Sequence, residues 1–563
     1  MKSTQNAAFR RLRALSDTPW LMAALAVLVL CYPLGAPALW LTAAALALLC
    51  GVGSLPSLAA AYVFLFMFDN MLPFPALGGS LARVMQAGIV LRAAWALARA
   101  RALPDRFTII AGLFTAVACG ISFVLKGLVG DSLSFGVNML VLLALRAALR
   151  ATDQAGGIFL RLMRTYVASA VTAVVFGVAY NRFYVLNVRT LIRFLGTHEP
   201  NFMAVFLDVA IILWVMLPRP GIRPALAWPL DALTLGVLLG GLAMTGSLTG
   251  FAIAGFMLLL CVVRACRGGE NPSTAVAVPL PLAREVGAKN ESSAETPYPP
   301  CQRGEGHGSG GGILALRLLC GAVVAALVVA GGQRSTLLRP QHVRDIYALQ
   351  VSIGAAEADT PIYIAKDTYR ALRASGEPIE PHLLTGAQWK AYHEEHGIER
   401  VVPRLSNVEH LLQDGLAQGI RRIPVLGNRL YTMLGYARMY GLDEVTSGRW
   451  GLITEKLSDF GAQPTWQKFL GRGPDPETTY FPLFQSFGYS HNSYLDMLTG
   501  FGAIGLGLLL WWFTRTARRG QFFGLPVEAQ CRGALALARI ALLLHAATLS
   551  MHLNRVFLFF FIG

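Results

Sequence analysis

Charged side chains make up only 14% of this 563-residue chain, little more than half the share of about 25% in ordinary soluble proteins. So few charges cannot keep a water-facing surface of this size in solution, which excludes a water-soluble enzyme. The sequence also lacks a Walker loop, a dinucleotide fingerprint and a Cys-x-x-Cys pair. No nucleotide, metal or other cofactor is indicated. Its eight cysteines are scattered, and the long polar segment 332–490 has none, so a disulfide framework is not implied. Nor does any RNA- or DNA-binding motif accompany the net charge of +16, which argues against nucleic acid as a partner.

Long apolar runs fill the space that charge leaves. Hydrophobic residues reach 55% and the mean hydropathy is +0.52. Runs of roughly 20 residues, the length that crosses a bilayer, begin near Pro19, Ala38, Ser57, Ser80, Phe107, Ser132, Met163, Asn201, Ala227, Leu248, Ile313, Ser493 and Ala534. The expected fold is an all-α polytopic integral membrane protein with about 12–14 transmembrane helices. The run from Ser80 is the weakest, because Arg83 and Arg92 interrupt it. Keeping it places Arg99, Arg101, Arg106, Arg146, Arg150, Arg161, Arg164, Arg515, Arg518 and Arg519 on one side. Basic residues collect on the cytoplasmic side of membrane proteins, so this side and the N-terminus are read as cytoplasmic.

Five regions follow. Residues 1–265 form an N-terminal transmembrane bundle. Residues 266–312, rich in Gly, Pro, Ser and Glu, read as a flexible cytoplasmic linker. Residues 313–331 make one further span, and 491–563 the C-terminal spans. Between them 332–490 forms a large, mainly helical loop on the far face, with helical stretches at 366–374 and 408–416. At roughly 160 residues it is far longer than a mere connection, which points to function.

Arginines on the far face run against the charge bias and are informative for that reason. The short loop after the seventh run holds Arg182, Arg189 and Arg193 and closes on Glu199-Pro200-Asn201. The guanidinium fork grips phosphate and stays charged at any relevant pH, although such residues also snorkel to lipid headgroups. A second element, Thr446-Ser447-Gly448-Arg449-Trp450, suits phosphate or a cation–π contact. The third is Ser490-His491-Asn492-Ser493-Tyr494-Leu495-Asp496, trailed by Gly502-Ala503-Ile504-Gly505. Ser493 and Asp496 have capping-box spacing, so a helix is expected to start there. That leaves His491 at the mouth of a span, with a side chain that takes up protons near neutral pH. Asp208 lies roughly 10 Å along its helix from Asn201 and is expected either to function in the membrane or to pair internally with Arg83 or Lys126. His393 and His396 have the wrong spacing for a zinc-protease helix and read as a solvated face.

These elements together resemble the O-antigen ligase and polymerase superfamily of bacterial envelope glycosyltransferases. The likeness spans about Arg189 to Trp512 and rests on Ser490–Leu495 with its trailing glycines, on Thr446–Trp450 and on Arg193-Phe194-Leu195-Gly196…Glu199-Pro200-Asn201. It departs at Ser247-Leu248-Thr249, where many members carry an arginine after the serine. The resemblance implies a multi-pass protein of the bacterial inner membrane with its active site on the periplasmic side. Its implied substrates are an undecaprenyl-diphosphate-linked glycan and a saccharide acceptor, without metal or other cofactor. Other polysaccharide assembly proteins are implied partners alongside the lipid bilayer. It assigns diphosphate binding to Arg189, Arg193 and Arg449, catalysis to His491, and substrate positioning to Glu199, Asn201 and Asn492. The expected activity is polysaccharide polymerase. The alternatives are ligation of the glycan to lipid A-core and, from a different class, a lipid-linked-oligosaccharide flippase.

Overall fold

A computed structural model describes residues 19–31, 36–68, 73–74, 79–80, 82–126, 130–151, 157–179, 200–217, 224–245, 247–267, 318–329, 419–420, 449–474, 480–481, 486–487, 490–550 and 554–563. The described chain is almost wholly helical. Strands are confined to three antiparallel pairs of two residues each, Pro73–Phe74 with Gly79–Ser80, Tyr480–Phe481 with Ser486–Phe487, and Gln521–Phe522 with Leu525–Pro526. The helices are α1 (Pro19–Cys31), α2 (Ala36–Val52), α3 (Leu55–Leu65), α4 (Ala82–Ala100), α5 (Arg106–Lys126), α6 (Gly130–Ala151), α7 (Ile158–Ala179), α8 (Pro200–Met216), α9 (Pro224–Thr245) and α10 (Leu248–Arg267). They continue as α11 (Leu318–Val329), α12 (Arg449–Ala462), α13 (Thr465–Leu470), α14 (Ser493–Arg519), α15 (Ala529–Ala546) and α16 (Arg555–Ile562).

Each apolar run read from the sequence overlaps a helix among the described residues, in several cases one shorter than the run. Among the described residues, four stretches meet the length and composition needed to cross a bilayer: Arg106–Leu125, Ser132–Ala151, Ile158–Gly177 and Ser493–Arg519. Large apolar side chains on α5, among them Leu113, Val117 and Val124, point outward from the bundle. In water that surface would drive aggregation; in hydrocarbon it is the ordinary exterior of a membrane helix. The linker from residue 268 onward and the expected helices at 366–374 and 408–416 lie outside the described residues.

α8 is the axis of the bundle. Its residues from Met203 to Leu213 are buried all round, as befits a helix that is apolar on every side, and it packs against α7, α9, α10 and α15. Asp208, at 0% exposure, is the exception to its apolar character. Its partner is neither Arg83 nor Lys126 but His545 at the end of α15, with Nε2 2.7 Å from Asp208 Oδ2. That pair fastens α8 to α15.

α14 is broken. Gly502 has φ 70° and ψ 179°, far from helical values, and divides the helix into an upper piece from Ser493 and a lower piece ending at Arg519. The break frees backbone carbonyls, which must find new donors in a dry interior. The loop after α13 supplies them: Arg472 N–H donates to Thr499 O at 3.2 Å and Gly473 N–H to Gly500 O at 2.8 Å. A Cβ on Gly471 would lie 2.1 Å from Gly500 O. Only glycine lets the two backbones approach so closely.

Candidate functional site at the mouth of the broken helix

The upper piece of α14 opens with an ordered turn. Asn492, not Ser493, is the N-cap: its Oδ1 accepts from the N–H groups of Tyr494 and Leu495 at 3.0 and 3.2 Å. Its Nδ2 donates to Ala547 O at 3.1 Å. With both ends of the amide engaged, Asn492 anchors the turn to the end of α15. Ser493 lies one residue inside the helix and donates to Leu549 O.

Asp496 does not reach back to the cap as a capping box would require. It is buried at 3% exposure and organises the floor of the turn instead. Its Oδ1 accepts from the N–H and the hydroxyl of Ser490, at 3.0 and 2.9 Å. Its Oδ2 accepts from the Ser550 hydroxyl at 2.5 Å. Lys456 Nζ approaches Oδ1 from α12 at 3.7 Å, with both side chains 2% exposed. Burial pulls the Lys456 ammonium below its ordinary value, while the carboxylates of Asp496 and Asp459 pull it back. Ser490 Oγ also accepts from Asn492 N–H at 3.2 Å, so the residues on either side of His491 are tied to each other.

That tie bends the backbone at His491 into the left-handed region, φ 55°. A residue with a Cβ pays roughly 1–2 kcal/mol there, and such strain persists only where the surroundings over-determine it. Here the surroundings are visible: Ser490 is fully buried on Asp496, and Asn492 is held by α15. His491 itself is half-buried, at the rim of the network.

A second layer lies beneath. Arg472 donates to Gln467 Oε1 at 2.9 Å and to Asp459 at 3.3 Å, clamping the loop that fills the break in α14 to α12. Arg472, Lys456 and Ser550 are invisible to sequence reasoning, because each meets Asp459 or Asp496 only after the chain has folded back on itself.

Of the residues singled out in the sequence, His491 and Asn492 sit together on this network. Asn201 is the second residue of α8, the helix that Asp208–His545 fastens to α15. Its Oδ1 accepts from the Ser247 hydroxyl at 2.6 Å, and Ser247 in turn receives Gly250 N–H at 3.1 Å. The serine at the point of departure from the resembling family thus caps α10 and ties it to α8. Arg449 is the first residue of α12, two turns before Lys456. Arg189, Arg193 and Glu199 lie outside the described residues. Among the described residues, no group of three or more His, Cys, Asp and Glu side chains gathers as a metal site.

No protein-family model matches the chain, and comparison with curated proteins and with solved structures likewise returned no match.

Proposed function

We propose that the chain is a membrane glycosyltransferase that moves a glycan from an undecaprenyl-diphosphate carrier to a saccharide acceptor at the mouth of α14, acting as a polysaccharide polymerase. The observation that carries this reading is the strained, over-determined backbone of His491 above a buried Lys456–Asp496–Ser490 network. Strain of this kind collects where a side chain must be aimed, and a histidine aimed from a rim suits proton transfer to or from a bound hydroxyl.

The reaction balances without a metal. The acceptor hydroxyl oxygen bonds to the anomeric carbon of the donor as the bond from that carbon to the diphosphate oxygen breaks. The hydroxyl proton passes to His491, and the leaving diphosphate keeps the bonding electron pair. Negative charge grows on the leaving oxygen, where Arg189, Arg193 and Arg449 would stabilise it more in the transition state than in the ground state. Placement of the protein in the bacterial inner membrane, with about 12–14 spans and this mouth on the periplasmic side, belongs to the same proposal. The resemblance in Ser490–Leu495, Thr446–Trp450 and Arg193–Asn201 supports it.

The test is deletion of the protein followed by gel analysis of the envelope polysaccharide, then turnover of lipid-linked repeats by the purified protein. Single repeats on core support a polymerase. Bare core with accumulating lipid-linked chains reassigns the activity to a ligase. Precursors that stay on the cytoplasmic leaflet exclude glycan transfer and leave a flippase.

A further inference from the structure

A cavity lies toward the opposite end of α14 from His491. It occupies about 340 Å³ between α5, α6 and the lower piece of α14. Its polar wall is formed by five arginines, Arg106, Arg146, Arg150, Arg515 and Arg519, against one carboxylate, Asp105. Asp105 is already saturated. It accepts from Thr108 N–H at 3.2 Å, from the Thr108 hydroxyl and Arg150 at close range, and it lies 3.6 Å from Arg146. Among the described residues, Arg106, Arg515 and Arg519 form no ion pair. Arg146 is 6% exposed, yet its Nε has no hydrogen-bond partner among the described residues. So much uncompensated positive charge, part of it dry, calls for an anion.

The opposite wall is apolar. Phe107 and Phe114 line the cavity from α5, Leu508 and Trp511 from α14. The Arg146 guanidinium lies over the Phe107 ring at 4.1 Å and that of Arg515 over Trp511 at 5.0 Å. Ile110 and Trp511 are about half exposed, at 51% and 48%. The apolar wall therefore continues onto the hydrocarbon-facing flank of α5 and α14. Tryptophan at such a junction marks the level of lipid headgroups.

A cationic basin that opens sideways onto an apolar flank matches one chemical shape: a phosphate head carrying hydrocarbon chains. Inorganic phosphate would satisfy the basin and leave the flank unused. We infer that this groove binds the phosphate headgroup of an anionic membrane lipid from the leaflet at the Arg519 end, its acyl chain lying along Leu508 and Phe114. Basic pockets between transmembrane helices hold anionic lipids in this way. The bound lipid would pin the lower piece of α14 to α5 and α6, below the break at Gly502. The inference does not depend on the reaction proposed for the mouth.

Native mass spectrometry of the detergent-purified full chain tests it, with phosphatidylglycerol, phosphatidylcholine and inorganic phosphate as probes. The wild type should retain phosphatidylglycerol in preference to phosphatidylcholine. The double variant Arg515→Gln/Arg519→Gln should weaken phosphatidylglycerol binding by about thirtyfold, since each Arg near an anionic surface is worth about 1 kcal/mol, or about fivefold. Arg515 and Arg519 are exposed, so the variant should keep the wild-type melting temperature. Arg518 lies beside Arg519 but does not line the groove, and Arg518→Gln should bind as the wild type does. Equal retention of the two lipids, or equal weakening by Arg518→Gln, would show attraction to general surface charge and overturn the inference. Displacement of phosphatidylglycerol by an equal concentration of inorganic phosphate would overturn it in favour of a soluble anion.

Discussion

His545 Nε2 lies 2.7 Å from Asp208 Oδ2 in the centre of the bundle, with side-chain exposures of 1% and 0%. Asp208 Oδ1 and His545 Nδ1 have no hydrogen-bond partner among the described residues, so among these residues the one contact serves both side chains. A group left alone at such a site bears its full desolvation cost. The pair therefore couples α8, whose second residue is Asn201, to the end of α15 that anchors Asn492.

Because each side chain is the other's recourse, the two should be strongly non-additive. A double-mutant cycle of Asp208→Ala and His545→Ala, read by thermal unfolding in detergent, should give a coupling of about 1.5–3 kcal/mol. Additive losses would mean that the contact contributes nothing beyond the packing of each residue.

Glycine substitutions along α14 separate the break from ordinary helix. Gly502→Ala puts a Cβ 2.3 Å from the Phe469 backbone at a residue with φ +70°. It should cost more than the roughly 1–2 kcal/mol of the left-handed conformation alone and abolish the proposed glycan transfer by displacing the loop at Gly471–Gly473. Gly507 has nothing within 4 Å of such a Cβ, so Gly507→Ala should be neutral or stabilise by up to about 1 kcal/mol. Equal tolerance at both positions, measured as melting temperature and turnover, would show that the break is not needed.

Acid should loosen the end of the bundle that carries the arginine groove. Burial alone would raise the Asp105 carboxyl. The hydrogen bonds from Thr108 and the guanidiniums of Arg146 and Arg150 outweigh it and hold the group below its ordinary value of 3.8. A carboxyl depressed in the folded state contributes stability that is complete above its unfolded value. That contribution is lost as the pH falls through the lower, folded one. The stability gap between wild type and Asp105→Asn should thus be constant near neutrality and shrink over the acid range that starts at the ordinary value of 3.8 and runs down through the folded one. A gap that stays flat as pH falls through that range would mean that Asp105 does not titrate with folding.

The helices were legible in the sequence because bilayer-length apolar runs have few alternatives, and even α4, interrupted by Arg83 and Arg92, is helical. Arg92 fits because its guanidinium donates to Gly51 O and Gly53 O at the end of α2. The turn at His491 was legible for a similar reason: polar residues crowd a short stretch just before a long apolar one. What the sequence hid is pairing across distance. Asp208 was conspicuous as an acid in an apolar run, but its partner is 337 residues away. Lys456 is one lysine in an ordinary amphipathic stretch, and nothing local marks it as buried against Asp496. The break at Gly502 was equally hidden, since glycines in a membrane span more often serve close helix packing than a change of backbone direction.

His491 combines a side chain proposed to take a proton with a backbone that no L-residue favours, and the two roles come apart on substitution. His491→Ala keeps the positive φ and loses the imidazole; His491→Gly loses the imidazole and relieves the strain. Both should be inactive, whereas the glycine variant should be the more stable by roughly 1–2 kcal/mol. His491→Gln retains a group that can donate or accept a hydrogen bond but cannot take up a proton, so a base requires that it fail as well. All three variants should still bind the lipid-linked donor, because the diphosphate is assigned to Arg189, Arg193 and Arg449. Turnover by the purified protein, donor binding and melting temperature decide between the roles. Full turnover by the glutamine variant would reduce His491 to a positioning group. A glycine variant no more stable than the alanine one would show that the backbone at His491 is not strained.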